Sequence, residues 1–301
     1  HMQATLSATQ DSVAWVLTSY IIASAIATPV TGWLEGRFGR RALFQAAIVG
    51  FTLSSAACGL APTLTAMVFA RLAQGVFGAF ISPLAQSIML DIYPRDKRAL
   101  AMTIWGMGVM IGPICGPLLG GYLTENFDWR WVFFINLPIG IFAAVGGWTL
   151  LRSAPRSERP FDVTGFMLIA IALAAFQLML DRGTQLDWLN STEILLEIGL
   201  AAAAMWMFVV HCLTARHPLI PPALFRDRNL MIANVFMMVA SGSMMAGAAL
   251  ISPMLQRLLG YSVFDSGALV MPRGISMMMM MMLSGTLSNR VDSRILIGGG
   301  L

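Results

Sequence analysis

Two arginines of this chain, Arg71 and Arg273, lie inside long apolar runs. A charged side chain in the middle of a membrane costs at least about 2.5 kcal/mol on insertion scales, so such a residue is a functional candidate by default. Each of these arginines would place a fixed positive charge inside a helical bundle. For Arg273, which follows Pro272 and precedes Gly274, this role and a purely interfacial one both remain open.

Arg71 lies about one and a half helical turns from the end of its run, so its guanidinium could also extend to the membrane surface. Gln74 and Gly75 follow on the same stretch. Their presence beside Arg71 favours an inward-facing polar role. The three residues are the candidate charge site.

The stretch Gly106–Gly121 reads GMGVMIGPICGPLLGG, with glycine at every fourth position and two prolines. These are the two worst formers of soluble helices, but in a membrane small residues four apart let another helix pack closely. Each proline also frees a carbonyl that only a protein-packed or cavity-lining position tolerates. The alternative is a tightly packed helix crossing without a function, but the doubled G-P-x-x-G pattern favours a functional helix. A bulky residue at position 112 would then wedge the two helices apart. Its candidate residues are Gly108, Gly112, Pro113, Gly116, Pro117, Gly120 and Gly121.

The composition is that of a membrane protein. The 301 residues are 57% hydrophobic and 11% charged, with a mean hydropathy of +0.73, whereas a soluble domain is about 25% charged. Cys58, Cys115 and Cys212 all lie in apolar stretches, which indicates buried small side chains rather than a disulfide or metal framework. We attribute the net charge of +4 to basic residues that orient the protein in the membrane, so no nucleic-acid partner is expected.

Nine apolar runs are long enough to span a bilayer, which takes about 20 residues. A tenth begins at the C-terminus. We therefore predict an all-α, polytopic membrane fold with nine complete spans and a stub. The predicted spans are 13–34, 43–61, 65–90, 99–123, 131–151, 163–181, 194–214, 229–255 and 263–287, and the stub is 294–301.

The basic residues between these spans are distributed unequally over the two sides of the membrane. One set of connecting segments holds fourteen arginines and lysines, and the opposite set holds three, Arg130, Arg182 and Arg257. By the positive-inside rule the richer side is cytoplasmic, so the N-terminal tail faces outward. Because a chain does not begin outside without a preceding signal or span, we interpret this one as a fragment of a longer protein.

A short motif recurs near the two ends of the chain. GWLEGRFGRR begins at Gly32 and GTLSNRVDSR begins at Gly285, and both follow the pattern G-x-L-x-x-R with further basic residues. Each stands at the cytoplasmic end of a span that contains a proline. Halves related by an axis along the membrane normal produce such parallel repeats in transporters. The candidate residues are Gly32, Glu35, Arg37, Gly39, Arg40 and Arg41 in the first copy and Gly285, Asn289 and Arg290 in the second.

In this order the motifs resemble the major facilitator superfamily, and within it the fourteen-span drug:proton antiporters of the EmrB/QacA type. Gly32–Arg41 is similar to the family's signature between its second and third helices. Arg71 with Gln74-Gly75 is similar to the signature of the fourth helix, and Gly108–Gly121 to the antiporter signature of the fifth. Further segments resemble family sequences at the sixth helix and around two extra central helices; they are Asp128–Gly140, Phe161–Gly165, Leu180–Trp188 and His217–Asn229.

The resemblance implies that the first predicted span is the family's second helix, with the first helix and the C-terminal spans absent. It also divides the chain into three parts. Residues 1–152 would be the N-terminal bundle, residues 153–228 would hold the two extra central helices with their linkers, and residues 229–301 would begin the C-terminal bundle.

The function that the resemblance implies is secondary active transport. Members export amphipathic or lipophilic drugs, such as lipophilic cations, across the bacterial inner membrane by proton antiport, with two bundles rocking about a midplane site. Arg71 would take part in proton coupling, and the fifth helix would let the two bundles slide and seal the cavity on one side. Gly32–Arg41 would be a cytoplasmic latch whose arginines meet acids and a helix terminus across the bundle interface. The implied partners are the lipid bilayer, amphipathic substrates, protons and a periplasmic adaptor protein. No cofactor, metal or enzymatic activity is implied.

Two features depart from the family pattern. Gly36 stands where the loop signature has an acid, with Glu35 beside it, so the latch is either weakened or uses Glu35. No aspartate or glutamate lies deep in any complete span, although proton coupling needs a titratable group whose pKa the interior can shift. The family often carries this acid in its first helix, so we expect it outside this chain.

Other functions were weighed against transport of drugs. A carrier of the same fold for a lipid, siderophore or sugar is the main alternative, and a non-transporting membrane protein is a further one. The sequence has no G-x-x-x-x-G-K-[ST], HExxH or G-x-S-x-G motif, which argues against an ATP-driven pump and a membrane enzyme. The run Met277–Met282 could bind Cu(I), but consecutive residues point all round a helix, which favours a packing role.

Overall fold

The computed structural model describes residues 10–151 and 160–287, with the single residues 291 and 298. Over these ranges it contains eleven α-helices and no strand, so the predicted all-α fold is confirmed. The helices are α1 (Gln10–Ala27), α2 (Thr31–Phe38), α3 (Arg40–Leu60), α4 (Leu64–Ile92), α5 (Arg98–Asn126), α6 (Trp131–Phe134), α7 (Asn136–Leu150), α8 (Val163–Arg182), α9 (Thr192–Thr214), α10 (Arg228–Arg257) and α11 (Val263–Leu287).

Nine helical segments of the described chain are long and apolar enough to cross a membrane, and each corresponds to one predicted span. Two of them contain a break. The segment Ser12–Phe38 comprises α1 and α2, joined by a 3-10 turn at Thr28–Val30, where Pro29 lacks the amide hydrogen of a regular helix. The segment Trp131–Leu150 comprises α6 and α7. The predicted stub falls outside the described residues except at residue 298.

The described helices pack into two compact units. The first consists of residues His1–Leu84 and Phe133–Asn234, and the second of Ala85–Val132 and Val235–Leu301. In the first unit α3 packs along α7, α8 along α9, and α1 along α8; in the second unit α5 packs along α11. The predicted division into two bundles with a central helix pair stays a prediction.

The first unit has an apolar core where the C-terminal end of α1, the first half of α3 and the second half of α4 meet. Small side chains let these helices approach, and larger ones fill the remaining space. The buried members are Ala27, Leu43, Ala47, Ala79, Phe80 and Leu84. A second cluster of Ile169, Phe208 and Cys212 holds α8 against α9. All three cysteines are free. Cys58 and Cys212 are buried, as their apolar surroundings predicted, whereas Cys115 is only partly buried.

Candidate functional site

Arg71 lies on α4 and its side chain reaches α1. Its Nε donates a hydrogen bond to the carbonyl oxygen of Val16 at 2.9 Å, and its Nη1 donates to Oε1 of Gln74 at 2.7 Å. The guanidinium carbon lies 4.6 Å from the ring centre of Tyr20 and 5.6 Å from that of Phe133. The side chain is therefore directed into the first unit rather than along α4 to the outer interface.

The four partners of the Arg71 guanidinium are all neutral: a carbonyl, an amide and two aromatic rings. Such groups stabilise a cation in place of water, but they do not cancel its charge. The described residues place no carboxylate within ion-pair distance of it. Arg71 is thus a positioned and uncompensated positive charge.

Gln74 and Gly75 join Arg71 in one cluster. Gln74 is 2% exposed, and its Oε1 also accepts a weak hydrogen bond from Sγ of Cys58 on α3 at 3.8 Å. Gly75 lies so close to α1 that a β-carbon there would stand 2.5 Å from the carbonyl oxygen of Tyr20. Glycine at this position therefore lets α4 approach α1 and brings Arg71 within reach of its acceptor.

The backbone at Phe133 is held by contacts that the sequence did not predict. Oγ of Ser55 on α3 donates to the carbonyl oxygen of Phe133 at 2.9 Å and accepts from Nδ2 of Asn136 at 3.0 Å. A β-carbon at Gly59 would stand 2.6 Å from the ring of Phe134. These contacts fix the break between α6 and α7 against α3. Because Ser55 and Phe133 are 78 positions apart, no local pattern indicates their contact.

The predicted latch begins as a turn between α2 and α3. Gly39 connects the two helices with φ 85° and ψ 144°, a conformation that side chains with a β-carbon rarely adopt. Glycine is thus required for the sharp reversal in this segment. Gly32 and Arg37, on the last turns before it, are exposed.

Two arginines of the same segment have partners within the first unit. Nε of Arg40 pairs with Oε1 of Glu35 at 2.6 Å. Nη2 of Arg41 donates to the carbonyl oxygen of Trp148 at 2.6 Å, close to the C-terminus of α7, where a positive charge is favourable. Both partners lie in the first unit, so these contacts are not the predicted ones across the bundle interface, and the acid that Arg40 meets is Glu35. The role of these residues as a latch stays a prediction.

On α5 the four-residue glycine repeat does not form the contact face. A β-carbon at Gly108, Gly112, Gly116 or Gly120 would meet no atom within 4 Å in the described chain. Within the described chain the predicted close contact at these glycines is not present, so the wedging effect expected at position 112 requires a helix outside the described residues.

Another face of α5 packs closely on α11. A β-carbon at Gly106 would stand 2.6 Å from Cε of Met281, and one at Gly121 would stand 3.1 Å from the backbone nitrogen of Phe264. Pro117 also lies in this contact, since a β-carbon at Gly267 on α11 would stand 2.9 Å from the carbonyl carbon of Pro117.

Glycines of α11 supply most of the space for this contact. Side chains at Gly274 and Gly285 would collide with Ile114 and Thr103, respectively. Gly285, predicted as part of the second latch copy, therefore packs on α5. Asn289 and Arg290, its predicted partners in that copy, lie outside the described residues.

The inner end of α8 carries a buried carboxylate that the sequence did not single out. The Asp162 side chain is 8% exposed and accepts hydrogen bonds from the backbone N–H of Gly165 at 2.8 Å, Nε2 of His211 at 2.8 Å, and the backbone N–H of Leu219 at 2.9 Å. It joins the start of α8, the end of α9 and the segment leading to α10. Burial raises the pKa of Asp162, but these hydrogen bonds outweigh it and hold the pKa below its usual range.

Replacing Asp162 by alanine should lower the free energy of unfolding by about 2 kcal/mol, because a helix cap and a charge-assisted hydrogen bond are lost together. The exposed cap Asp227, which accepts from the N–H of Asn229 at 2.9 Å, is the matched control, and its alanine variant should lose about 1 kcal/mol. Thermal unfolding in detergent checks both. Equal losses would show that the buried contacts of Asp162 add nothing.

The pH dependence of this contact follows from the sign of the shift. Because the folded-state pKa of Asp162 is depressed, its stabilisation is complete above the unfolded value of about 3.9 and is lost as the pH falls through the lower folded value. Titration of this carboxylate should therefore not change the difference in thermal midpoint between the wild type and Asp162→Asn from pH 5 to pH 8.

The α8–α9 hairpin is attached to the first span at both ends. At the outer end Oγ1 of the buried Thr18 donates to Oδ2 of Asp181 at 2.6 Å. At the inner end the rings of Trp33 and Phe161 lie 4.5 Å apart, centre to centre. Both contacts join residues distant in sequence, and neither was predicted.

The structure thus defines a polytopic α-helical membrane protein with a positioned charge inside its first unit. The model of the Major Facilitator Superfamily matches residues 1–301, and the chain belongs to this superfamily.

Curated relatives agree with this assignment. The chain is 36% identical to Multidrug export protein EmrB of Escherichia coli (strain K12) over 285 residues, which cover 94% of this chain and 56% of the relative. It is 37% identical to Fatty acid resistance protein FarB of Neisseria gonorrhoeae over 295 residues, covering 97% and 58%. It is 32% identical to Multidrug resistance protein B homolog of Mycobacterium tuberculosis over 289 residues, covering 95% and 54%. The chain spans just over half the length of these relatives.

Proposed function

We propose that the protein exports amphipathic compounds across the bacterial inner membrane in exchange for protons. The observation that carries this proposal is the uncompensated charge of Arg71 between α1 and α4. The relatives named for multidrug export and for fatty acid resistance support export as the activity. Membership of the superfamily supports a carrier rather than an enzyme.

In the proposed mechanism, Arg71 acts on a carboxylate that approaches it during the transport cycle. A nearby guanidinium favours the ionised form of an acid and so promotes release of its proton. When the acid is protonated or withdrawn, the guanidinium remains stable on Val16, Gln74 and the two rings. The described spans carry no acid at this position, and we place the coupling acid in a span outside them.

Alternating access would involve the contact between α5 and α11. Glycines on both helices let α5 and α11 approach closely, with the side chains of Met281 and Ile114 packed against glycine backbone, and we assign the shift between helices to this contact. The pairs of Arg40 with Glu35 and of Arg41 with Trp148 would fasten the cytoplasmic turn in one state. The periplasmic adaptor implied by the resemblance would bind on the outer side.

Respiring inside-out vesicles that contain the protein test this function. Expressed from its complete coding sequence, the protein should accumulate fluorescent amphipaths in the vesicles, and an uncoupler should abolish the accumulation. Vesicles without the protein are the control. Accumulation that survives the uncoupler, or that follows ATP instead, would overturn proton coupling; gradient-driven uptake of a sugar or siderophore but of no amphipath would favour the alternative carrier.

A further inference from the structure

Arg273 is the second cation inside the predicted spans, and it lies near the middle of α11. It is ten residues from Val263 and fourteen from Leu287, or about 15 Å and 21 Å at 1.5 Å per residue. The apolar core of a bilayer is about 30 Å thick, so this guanidinium lies too deep to reach water by a short extension. Arginines at such depth face a protein interior or an aqueous cavity rather than lipid.

The Arg273 guanidinium lies in a notch on α10. A β-carbon at Gly247 would stand 2.6 Å from Nη1 and 2.9 Å from Nη2 of Arg273, so the guanidinium lies directly against the backbone of α10 at this glycine. Gly247 is ten residues from the outer end of α10 at Arg257, the same number as separates Arg273 from the outer end of α11. Two helices of the second unit therefore define this site at one depth.

Arg273 differs from Arg71 in its partners. Within the described part of the second unit, no hydrogen-bond or ion-pair partner is found for its guanidinium. The acidic residues of that part lie in connections or within three residues of a helix end; they are Asp91, Asp96, Glu125, Asp128 and Asp265. Asp265 accepts instead from Oγ of Ser262. With respect to the described residues, the donors of Arg273 are thus available to a ligand.

The side chains around Arg273 on its own helix are apolar and accessible. Leu269, one turn before it, is 53% exposed, and Met277, one turn after it, is 37% exposed. On α10, Leu250 lies one turn from Gly247 and is 71% exposed. Flexible methionine side chains adapt to ligands of different shapes. A cation with apolar surfaces on both sides is complementary to an amphipath with an anionic head.

We propose that Arg273 binds the anionic head group of amphipathic acids and sets the protein's preference for anionic over cationic amphipaths. The planar guanidinium presents two parallel donors that match a carboxylate or sulfonate, whereas a lipophilic cation at the same site would be repelled. This inference rests on the proposed export function and narrows its substrate class. Among the lipophilic cations and related amphipaths that the resemblance implies, it singles out the anionic amphipaths.

Three matched fluorescent probes test the inference on the purified protein, expressed from its complete coding sequence. They are dansylated undecanoate, its neutral methyl ester, and dansylated undecyl-trimethylammonium. The wild type should bind the undecanoate at least about tenfold more tightly than the trimethylammonium probe, as expected for a charge-assisted hydrogen bond. Arg273→Gln should lose this preference while binding the ester unchanged, and Arg273→Lys should restore it in part.

Arg257→Gln, a change of an exposed arginine at the end of α10, is the control and should keep the preference. Retained ester binding shows that the Arg273→Gln protein is folded. The inference is overturned if the wild type binds the cation as tightly as the anion, or if Arg273→Gln keeps the anion preference. Uptake into energised vesicles is measured in parallel: uptake without anion preference removes only the inference, and anion binding without gradient-driven uptake removes the proposed function.

Discussion

Arg71→Met is expected to reduce gradient-driven export by at least about a hundredfold, the scale on which loss of a proton-transfer group acts. Methionine keeps the length of the side chain but removes its charge and its donors. Substrate exchange in the absence of a gradient should persist, because the substrate site is not altered. Loss of coupling with retention of exchange distinguishes a charge that acts on a proton carrier from a residue that only maintains the fold.

Arg71→Lys is expected to lose nearly as much export as the methionine variant. The guanidinium donates through Nε to α1 and through Nη1 to Gln74 at the same time. A lysine ammonium is a single point charge and does not reproduce this fork. It is also bound less well between the rings of Tyr20 and Phe133, on which a planar guanidinium can stack.

The control for both variants is Arg216→Met, which removes an exposed arginine from the connection after α9. It should export like the wild type. Uptake by inside-out vesicles, normalised to the amount of protein in the membrane, compares the three variants. Unchanged, uncoupler-sensitive uptake by Arg71→Met would remove Arg71 from the mechanism.

Gly75→Val should abolish export and lower the thermal midpoint. Its β-carbon would stand 2.5 Å from the carbonyl oxygen of Tyr20, and a backbone atom in the middle of a helix has no rotamer with which to move away. Overpacking of this kind costs about 1–3 kcal/mol. Separating α1 from α4 also withdraws the Val16 carbonyl from Arg71, so the thermal midpoint and proton-coupled export should both decrease.

Gly112→Val is the matched variant, since a β-carbon at Gly112 meets no described atom within 4 Å. It should insert, fold and export close to wild-type levels. If Gly75→Val is tolerated, the close approach of α1 and α4 is not needed for function. If Gly112→Val is the damaging change, a helix outside the described residues packs on the glycine repeat after all.

The sequence predicted the spans well because a membrane span is a local property. About 20 apolar residues in a row are sufficient to cross the bilayer, whatever lies beside them. The cluster of Arg71, Gln74 and Gly75 was predictable for a similar reason: residues three and four apart share one face of a helix. The role of Gly39 also follows from local backbone geometry, because its turn has a positive φ.

The contacts between helices were not predictable in this way. Val16, Tyr20 and Phe133 surround Arg71 from distant parts of the chain, and no spacing rule relates them to it. Asp162 looked like an ordinary residue before a helix, yet it binds His211 and Leu219 as well. On α5 the four-residue glycine repeat has no neighbour among the described residues, whereas Gly106, Pro117 and Gly121 pack on α11, and no spacing rule indicated which residues would make that contact.

Proton movement driven by a substrate gradient is the most direct test of the central claim. Proteoliposomes are loaded with an amphipathic sulfonate and an internal pH dye, with potassium and valinomycin to clamp the potential, and are then diluted into substrate-free buffer. A permanently charged sulfonate is used because a weak acid would carry a proton by itself. The account predicts that the lumen acidifies as the sulfonate leaves, and that Arg71→Met abolishes this acidification. Sulfonate efflux through the protein without any change of internal pH would contradict proton antiport.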